Sequence, residues 1–426
     1  MPEPTVPAML APPPPRATWR DHALFRSVAG MFGIAFLAIM LGVCLLSLPY
    51  TVGTVSLRDG GMIPRYNAGL VSHGRIPPAF WPRGWWASSR TESTRFNALV
   101  SPEVTASVAA EFSMDPDELV GSAAGPGAMR LREHWPTYLL GTDTLGRSLA
   151  IRLLTGGGIS LGIGIAAAAI SVVIGTAYGA VSGYAGGRVD AVMMRIVDIL
   201  YGLPYILLVV LLAVAVDAWV EKSVTARVQR VSIQRERWVI QQAGSGVTPG
   251  TDQEALRADL ERRAVDRFGT GELSAGTVSA INVTTLLVAI GGVSWLTMSR
   301  VIRGQVLSLK AQPFVEAARA AGVPSSRIFL RHLLPNLLGP IIVYATLTVP
   351  QAILQESFLS FLGIGVKPPL PSWGNLAADG LSELNTYQSN WWLLVLPCLL
   401  LGSTLLAMNF VGEGLREAFD PKRVGR

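Results

Sequence analysis

The sequence predicts an all-α polytopic membrane protein. Of its 426 residues, 50% are hydrophobic and only 15% are charged, whereas a soluble domain usually carries about 25% charged residues. Six uncharged stretches reach or approach the roughly 18–20 residues that cross a hydrocarbon core. Because backbone groups in lipid must pair within their own segment, each stretch is expected to be a helix. The stretches are 27–57, 153–187, 199–216, 273–299, 332–355 and 384–412.

The charged segments between these stretches divide the chain. Residues 1–26 form a tail that is Pro-rich and disordered to about residue 15 and then basic. Residues 27–57 are the first transmembrane helix, and 58–152 form a long extracytoplasmic loop and elbow. Residues 153–366 contain spans two to five, with an insert at 217–272 and a polar loop at 300–335. Residues 367–426 hold an outer loop, the sixth span and a second tail. The fifth span is expected to continue past Glu356 to about Val366.

Six spans place both termini on one side of the membrane, and the distribution of basic residues favours the cytoplasm. With that orientation, several arginines lie in the short inner segments and both tails. The short outer loop near 367–383 carries Lys367 as its one basic residue. The long outer segments also contain arginines, but the positive-inside rule does not weigh long loops.

The two long outer segments differ in character. Residues 58–140 are rich in Pro, Gly and Trp and are expected to be irregular but packed. In the insert 217–272, residues 224–242 alternate in places and are interpreted as a strand or hairpin. Residues 251–269 predict a helix with Thr251 as cap, Glu254 completing a capping box, and Gly269 at its end. The insert is either a solvated decoration or a docking surface for a partner.

Motifs for common chemistries are absent from the sequence. It contains no GxxxxGK[ST] phosphate loop, HExxH or CxxC pattern. Cys44 and Cys398 lie in apolar stretches, and the four histidines are scattered, so neither a disulfide nor a metal site is expected. The net charge of +6 is modest and gives no reason to expect nucleic acid binding. We therefore expect no catalytic residues and no cofactor.

The loop 300–335 is unusual because it is polar and basic yet lies between two apolar stretches. A helix is predicted from Phe314, Gly322 breaks it, and Pro324 suits the first turn of a second helix that extends to Leu334. Pro335 then marks entry to the fifth span. The loop is either an ordinary interfacial helical hairpin or a segment that a partner outside the bilayer binds.

The residues of this loop resemble a known signature. Glu316-Ala317-Ala318, Gly322 and Leu334-Pro335 are similar to the EAA motif of bacterial ABC importer permeases. GTDTLGRS at 141–148 resembles an element that precedes the second span in the dipeptide/oligopeptide/nickel branch, with Ser148 where aspartate is usual. The resemblance extends over 182–204, 295–310, 354–380 and 413–423, but not over the insert 217–272 or the loop 58–135.

The resemblance implies the C-type subunit of a binding-protein-dependent importer, with the six-helix type I permease architecture and a small extracytoplasmic insert. Implied partners are two ABC ATP-binding subunits, a sister B-type permease, an extracytoplasmic substrate-binding protein and the lipid bilayer. The implied substrate is a peptide or a related small solute, and the implied location is the bacterial inner membrane. ATP would be hydrolysed by the partner subunits.

The resemblance also assigns residue roles. Glu356, the one ionisable residue expected inside a span, would make either an interhelical hydrogen bond or a polar contact on the translocation path. The outer elbow motif comprises Gly141, Thr142, Asp143, Gly146 and Arg147. The ATPase-coupling loop would comprise Glu316, Ala317, Ala318, Gly322, Arg331, Leu334 and Pro335.

Two other functions remain open at this point. A secondary carrier or channel would act without an ATPase, but such proteins usually bury ionisable residues in their spans, and this sequence has few. A membrane scaffold would use the insert 217–272 to bind a partner. Transport by the chain alone would support the carrier, and loss of function on deleting the insert would support the scaffold.

Overall fold

The computed structural model describes residues 28–56, 60–82, 89–246, 253–384 and 389–418. After helix α1 (Val28–Val52), a small hairpin of β1 (Thr54–Ser56) and β2 (Met62–Pro64) leads to α2 (Arg90–Asn97), α3 (Pro102–Glu111), α4 (Pro116–Gly121) and α5 (Pro126–Arg132). The following helices are α6 (Leu149–Ala185), α7 (Gly187–Tyr201), α8 (Tyr205–Gly246), α9 (Gln253–Phe268) and α10 (Ala275–Lys310). The C-terminal part contains α11 (Pro313–Ala320), α12 (Ser325–Ile328), a π turn (Phe329–Leu333), α13 (Leu334–Phe361), α14 (Trp373–Ser382) and α15 (Trp392–Ala418).

The described helices confirm an all-α polytopic membrane protein. By length and composition, five helical segments can each cross a membrane by themselves: α1, α6, α10, α15 and the continuous run Ser325–Phe361. The pair α7 and α8 forms a sixth span if the two helices are taken together, although they meet at an angle of 91°. The expected number of six spans therefore holds when this bent pair counts as one.

The bend between α7 and α8 corrects the third expected span, 199–216. Gly202 follows α7, and Pro204 lies immediately before α8, where its ring and missing N–H cost least. α8 then continues far beyond residue 216, for 42 residues in all. The uncharged stretch 199–216 thus contains the bend and only the first part of this helix.

The bundle is held together by close approach of α6 and α10. Gly175, Gly179 and Gly183 recur every fourth residue along α6, so they lie on one face. A Cβ atom at Gly179 would lie 2.3 Å from the carbonyl oxygen of Ser299, and one at Gly175 would lie 2.5 Å from the Cβ of Met298. These glycines let the two backbones pack at a distance that larger residues would prevent, as small residues do in membrane helices.

The expectation of irregular structure at 58–140 was wrong for residues 90–132, most of which are helical, while the expectation of packing is confirmed. Helices α2 to α5 pack around a core of their own, which includes Phe96, Leu119, Leu131 and Trp135. Three of the four helices begin with Pro at the first or second position, which a helix accepts there. The Trp135 indole N–H donates to the Asn97 side chain at 3.0 Å. We call residues 60–147 the elbow module.

The strand or hairpin expected at 224–242 is also wrong. These residues extend α8 as a helix, and α9 packs back against it through Val239, Leu260 and Ala264. Alternating polarity over a few residues does not distinguish a short strand from one face of a long helix. The helix expected at 251–269 is confirmed from Gln253, and Gly269 follows it with φ +72°. Thr251 lies outside the described residues. We call residues 222–269 the helical arm.

The last two spans also differ in their limits. α13 passes Glu356 as expected but ends at Phe361 rather than near Val366, because Gly363 turns the chain with φ +78°. The sixth uncharged stretch starts at 384, yet α15 begins only at Trp392. Between them α14 packs on the bundle, and its N-terminus is closed by a capping box of Ser372 and Asn375.

Candidate functional site

The loop between α10 and α13 forms a short helix with one buried face and one exposed face. Val315 of α11 is fully buried and packs in a cluster with Ile328 and Leu333. Glu316 and Ala317 are exposed on the opposite side. This arrangement holds α11 firmly while leaving its acidic and small side chains available to another molecule.

The turn after α11 explains why Gly322 is needed. Gly322 has φ +75°, a left-handed conformation that favours glycine. The N–H of Val323 donates to the carbonyl of Ala318 at 3.1 Å, and the N–H of Gly322 donates to that of Arg319 at 3.0 Å. These two bonds form a Schellman motif, and Ala318 and Val323 both pack on the cluster beneath. The end of α11 is therefore fixed in direction.

A π turn connects this loop to the fifth span without a break. The N–H of Leu334 donates to the carbonyl of Phe329, five residues back. Pro335 has no N–H for the carbonyl of Arg331, and its ring would clash with that carbonyl in a regular α-helix. The wider π turn relieves the clash, so α12, the π turn and α13 form one continuous helical run. Arg331 itself is exposed, Leu334 is half-buried and Pro335 is exposed.

The neighbouring segment 182–204, which contains α7, is held to α10 by contacts of charged side chains. Asp190 of α7 accepts two hydrogen bonds of 2.5 Å from the Arg303 guanidinium. Asp198 accepts one of 2.7 Å from Arg300. The Lys310 ammonium donates to the carbonyl of Tyr184 at 2.6 Å. Tyr184 also packs against the cluster of Val315, Ile328 and Leu333. Movement of α11 would therefore displace α6, α7 and α10 together.

The elbow motif at 141–148 connects the rest of the elbow module to α6. Asp143 accepts backbone N–H bonds from Leu145 and Arg147 at 3.0 and 2.9 Å. Its second carboxylate oxygen accepts bonds of 2.6 Å from the side chains of Arg147 and Arg152. The Arg152 side chain is only 5% exposed, so Asp143 supplies the counter-charge that lets it be buried.

Other residues of the motif hold the loop that precedes α2. The Thr142 hydroxyl donates to the His73 carbonyl at 2.6 Å and accepts the N–H of Ile76 at 2.8 Å. Gly141 and Gly146 have positive φ values of +81° and +72°. A Cβ at Gly146 would lie 1.8 Å from the carbonyl oxygen of Leu70. The motif thus requires glycine at these positions for both conformation and space.

The elbow module is also attached to the segment before α15. Arg75 donates to the two carboxylate oxygens of Glu383 at 2.6 and 2.9 Å. These hydrogen bonds lower the pKa of Glu383 below its ordinary value of 4.5. The Asn390 amide donates to the same carboxylate at 3.1 Å.

Glu356 is fully buried in a group of hydroxyls. It accepts a bond of 2.7 Å from Ser360 on its own helix and one of 3.2 Å from Ser357. The side chains of Ser160 of α6 and Ser372, the cap of α14, also lie close to it. Glu356 therefore lies inside the packed bundle, with no exposed surface.

Sequence reasoning did not single out Asp190, Arg303, Arg152 or Asp379, which completes the cluster 3.7 Å from Arg152. The signal for Asp190 is its position three residues after the end of the uncharged stretch 153–187, where a charge beside a span needs a partner. Arg152 was treated as the boundary of the second span, whereas α6 begins before it.

A family model for the "binding-protein-dependent transport system inner membrane component" matches residues 171–425. The chain belongs to this family. It is 40% identical over 285 residues to the oligopeptide transport system permease protein OppC of Haemophilus influenzae, covering 67% of this chain and 70% of that protein. It is 41% identical over 285 residues to OppC of Escherichia coli K12 (67% and 72% covered) and 37% identical over 290 residues to the dipeptide transport system permease protein DppC of Bacillus subtilis (68% and 69%).

Membership of this family confirms the C-type permease assignment made from the motifs. The chain is a multi-pass inner-membrane permease subunit of an ABC importer, and it works with other components of such an importer. The family match includes α11 and the turn at Gly322. The elbow module lies N-terminal to the matched residues.

Proposed function

We propose that this permease subunit forms half of a path for peptides and couples that path to ATP hydrolysis by two separate ATP-binding subunits. A sister B-type permease forms the other half, and an extracytoplasmic binding protein delivers the substrate. Both termini and α11 lie in the cytoplasm, and the elbow module and helical arm lie outside. Peptides are proposed because the similar permeases are named for oligopeptide and dipeptide transport.

One observation carries the coupling proposal. α11 exposes Glu316 while Val315 anchors it to a buried cluster, and the run from Ser325 to Phe361 continues into the membrane without interruption. A force applied to α11 therefore reaches α13 through packed side chains and a continuous helix. Closure of the ATP-binding subunits would tilt the spans and alternate access to the path. The permease itself performs no catalytic step.

The test uses the complete importer in proteoliposomes, with ATP inside and binding protein plus peptide outside. Glu316→Lys reverses the charge of the exposed face, and Gly322→Trp destroys the left-handed turn. Each variant is expected to abolish uptake and to uncouple ATP hydrolysis from the binding protein. Glu272→Lys, the same charge change on an exposed residue before α10, is the matched control. Full uptake by either coupling variant, with normal assembly, would refute the proposal.

A further inference from the structure

A cavity of about 480 Å³ opens where the bend between α7 and α8 meets α10 and α13. The polar or aromatic side chains that line it include Tyr201, Tyr205, Ser294, Thr297, Gln351 and Gln355. Tyr344 and Thr348 of α13 also line it, and the rest of its described lining is apolar. None of the described residues that line it is charged.

The polar residues of α13 lie on one face of that helix. Tyr344, Thr348, Gln351 and Gln355 follow one another at intervals of four, three and four residues, which places them in a single stripe. Gln351 is exposed in this chain. A side-chain amide that faced acyl chains would have no hydrogen-bond partner, so this stripe must face water or protein.

The amide of Gln355 is oriented by a hydrogen-bond network across three helices. The Tyr205 hydroxyl of α8 donates to the Gln355 side-chain oxygen at 2.7 Å and lies 2.8 Å from the Ser294 hydroxyl of α10. Among the described residues, no group accepts from the NH₂ of Gln355. The two N–H donors of the Gln355 amide are therefore left at the cavity, and the hydrogen bond from Tyr205 fixes their orientation.

The charges nearest to the cavity are already paired. Arg300 lies over the Tyr201 ring, 4.0 Å from its centroid, and donates to Asp198 at 2.7 Å. The cavity itself therefore offers amides, hydroxyls and aromatic faces, and no net charge. Such a surface can hydrogen-bond to the amide groups that every peptide shares, and it has no group that selects a charged side chain.

We propose that this cavity is a contact site for the backbone of the transported peptide, with Gln351 and Gln355 as its amide ligands. The inference rests on the proposed function, because it assigns a site to the peptide that the permease is proposed to carry. Its neutrality explains how peptides of different side-chain charge pass the same position. The specific consequence is that a charge placed at Gln351 creates selectivity that the native cavity lacks.

The experiment measures ATP-dependent uptake of Ala-Lys-Ala and Ala-Asp-Ala by the complete importer, each at saturating concentration for the binding protein. In Gln351→Glu, the ratio of Lys-peptide to Asp-peptide uptake should rise relative to the wild type. In Gln351→Lys it should fall. Unit charges about 10 Å apart at an effective dielectric constant of about 20 change the uptake of each peptide roughly tenfold in opposite directions, so the ratio should change roughly a hundredfold. Gln234→Glu, the same substitution on the exposed helical arm, should leave the ratio unchanged.

Gln351→Met tests whether volume alone matters, and it should slow both peptides equally without changing the ratio. If both charged variants keep the wild-type ratio while transporting, the cavity does not contact the peptide and the inference is overturned. The wild type gives the separate test of the proposed function. If it shows no ATP-dependent uptake of either peptide, both the function and the site assigned to it fail.

Discussion

At the scale of single residues, the elbow motif is constrained by conformation, space and charge. Gly146 combines a left-handed backbone with a carbonyl of Leu70 where a side chain would begin, and Asp143 neutralises the buried Arg152. Backbone conformation and available space thus restrict position 146, and charge restricts position 143. These restrictions account for the residue types that the motif contains.

Gly146→Ala is expected to destabilise the subunit by roughly 2–4 kcal/mol, because the new methyl group clashes with the Leu70 carbonyl and the backbone is strained. The unfolding temperature of the purified subunit in detergent would measure the loss. Gly60→Ala is the matched control, since Gly60 has φ +78° but nothing within 4 Å of a Cβ. It should cost only about 1 kcal/mol. Equal effects of the two substitutions would show that the close contact does not matter.

Asp143→Asn is expected to destabilise the subunit by about 3 kcal/mol, because it leaves the buried Arg152 without its close counter-charge. Asp379 is 61% exposed and 3.7 Å away, so it cannot replace Asp143. Glu133→Gln, which removes one partner of the exposed Arg130–Glu133 pair, should cost less than about 1 kcal/mol. Thermal unfolding of both variants would compare them, and a cost for Asp143→Asn as small as the control's would contradict the prediction.

At the scale of elements, the sequence predicted well what depends on local composition. The uncharged stretches located the spanning helices, and Gly322 and Gly269 located two helix ends. Features that depend on contacts between distant parts of the chain could not be predicted from the sequence. The extension of α8 to Gly246 depends on α9 packing against Val239, which no local pattern contains. The late start of α15 has the same origin, because α14 and the Arg75–Glu383 contact occupy the chain before it.

The π turn between α12 and α13 should set the angle of α11 relative to the fifth span. Pro335→Ala restores an N–H that the Arg331 carbonyl can accept, so the turn is expected to relax towards an α-helix and rotate α11 by about 100°, the angle of one residue. Uptake should fall sharply while the importer still assembles and hydrolyses ATP. Pro340→Ala, in the same helix but away from the π turn, should transport normally. Normal uptake by Pro335→Ala would mean that the π turn has no part in coupling.

The contact between the elbow module and the segment before α15 should depend on pH. Arg75 lowers the pKa of Glu383 in the folded protein, so the ion pair stabilises fully above the unfolded value near 4.5 and loses its effect as pH falls through the lower folded value. The protection of the amides of residues 389–391 against hydrogen exchange, measured relative to the intrinsic exchange rate at each pH, should therefore fall below about pH 4.5. Glu383→Gln should show faster exchange already at pH 7 and less change with pH. An unchanged pH profile in Glu383→Gln would rule out this ion pair as the cause.

At the scale of the whole molecule, the described residues form a bundle of membrane-spanning helices and two further units that have cores of their own. The elbow module is built around Trp135 and Leu131, and the helical arm around Val239 and Leu260. The candidate coupling site could be predicted from the sequence alone, because the polar loop and Gly322 are visible there. Its mechanical link to the membrane, through Val315 and the π turn, required the structure.

Because the arm's core shares no residue with the bundle core around Ile290 and Ala352, its removal should leave the bundle intact. Replacing residues 222–271 by a short Gly-Ser linker is expected to preserve ATP-dependent uptake. The ion pair of Asp217 with Lys367, at 2.6 Å, involves no deleted residue and still holds the remaining end of α8. Leu260→Asp, which disrupts only the contact of α9 with α8, should likewise preserve uptake. If both variants assemble normally but lose uptake, the arm is a docking surface that transport requires, because two independent ways of removing it would then abolish the same activity.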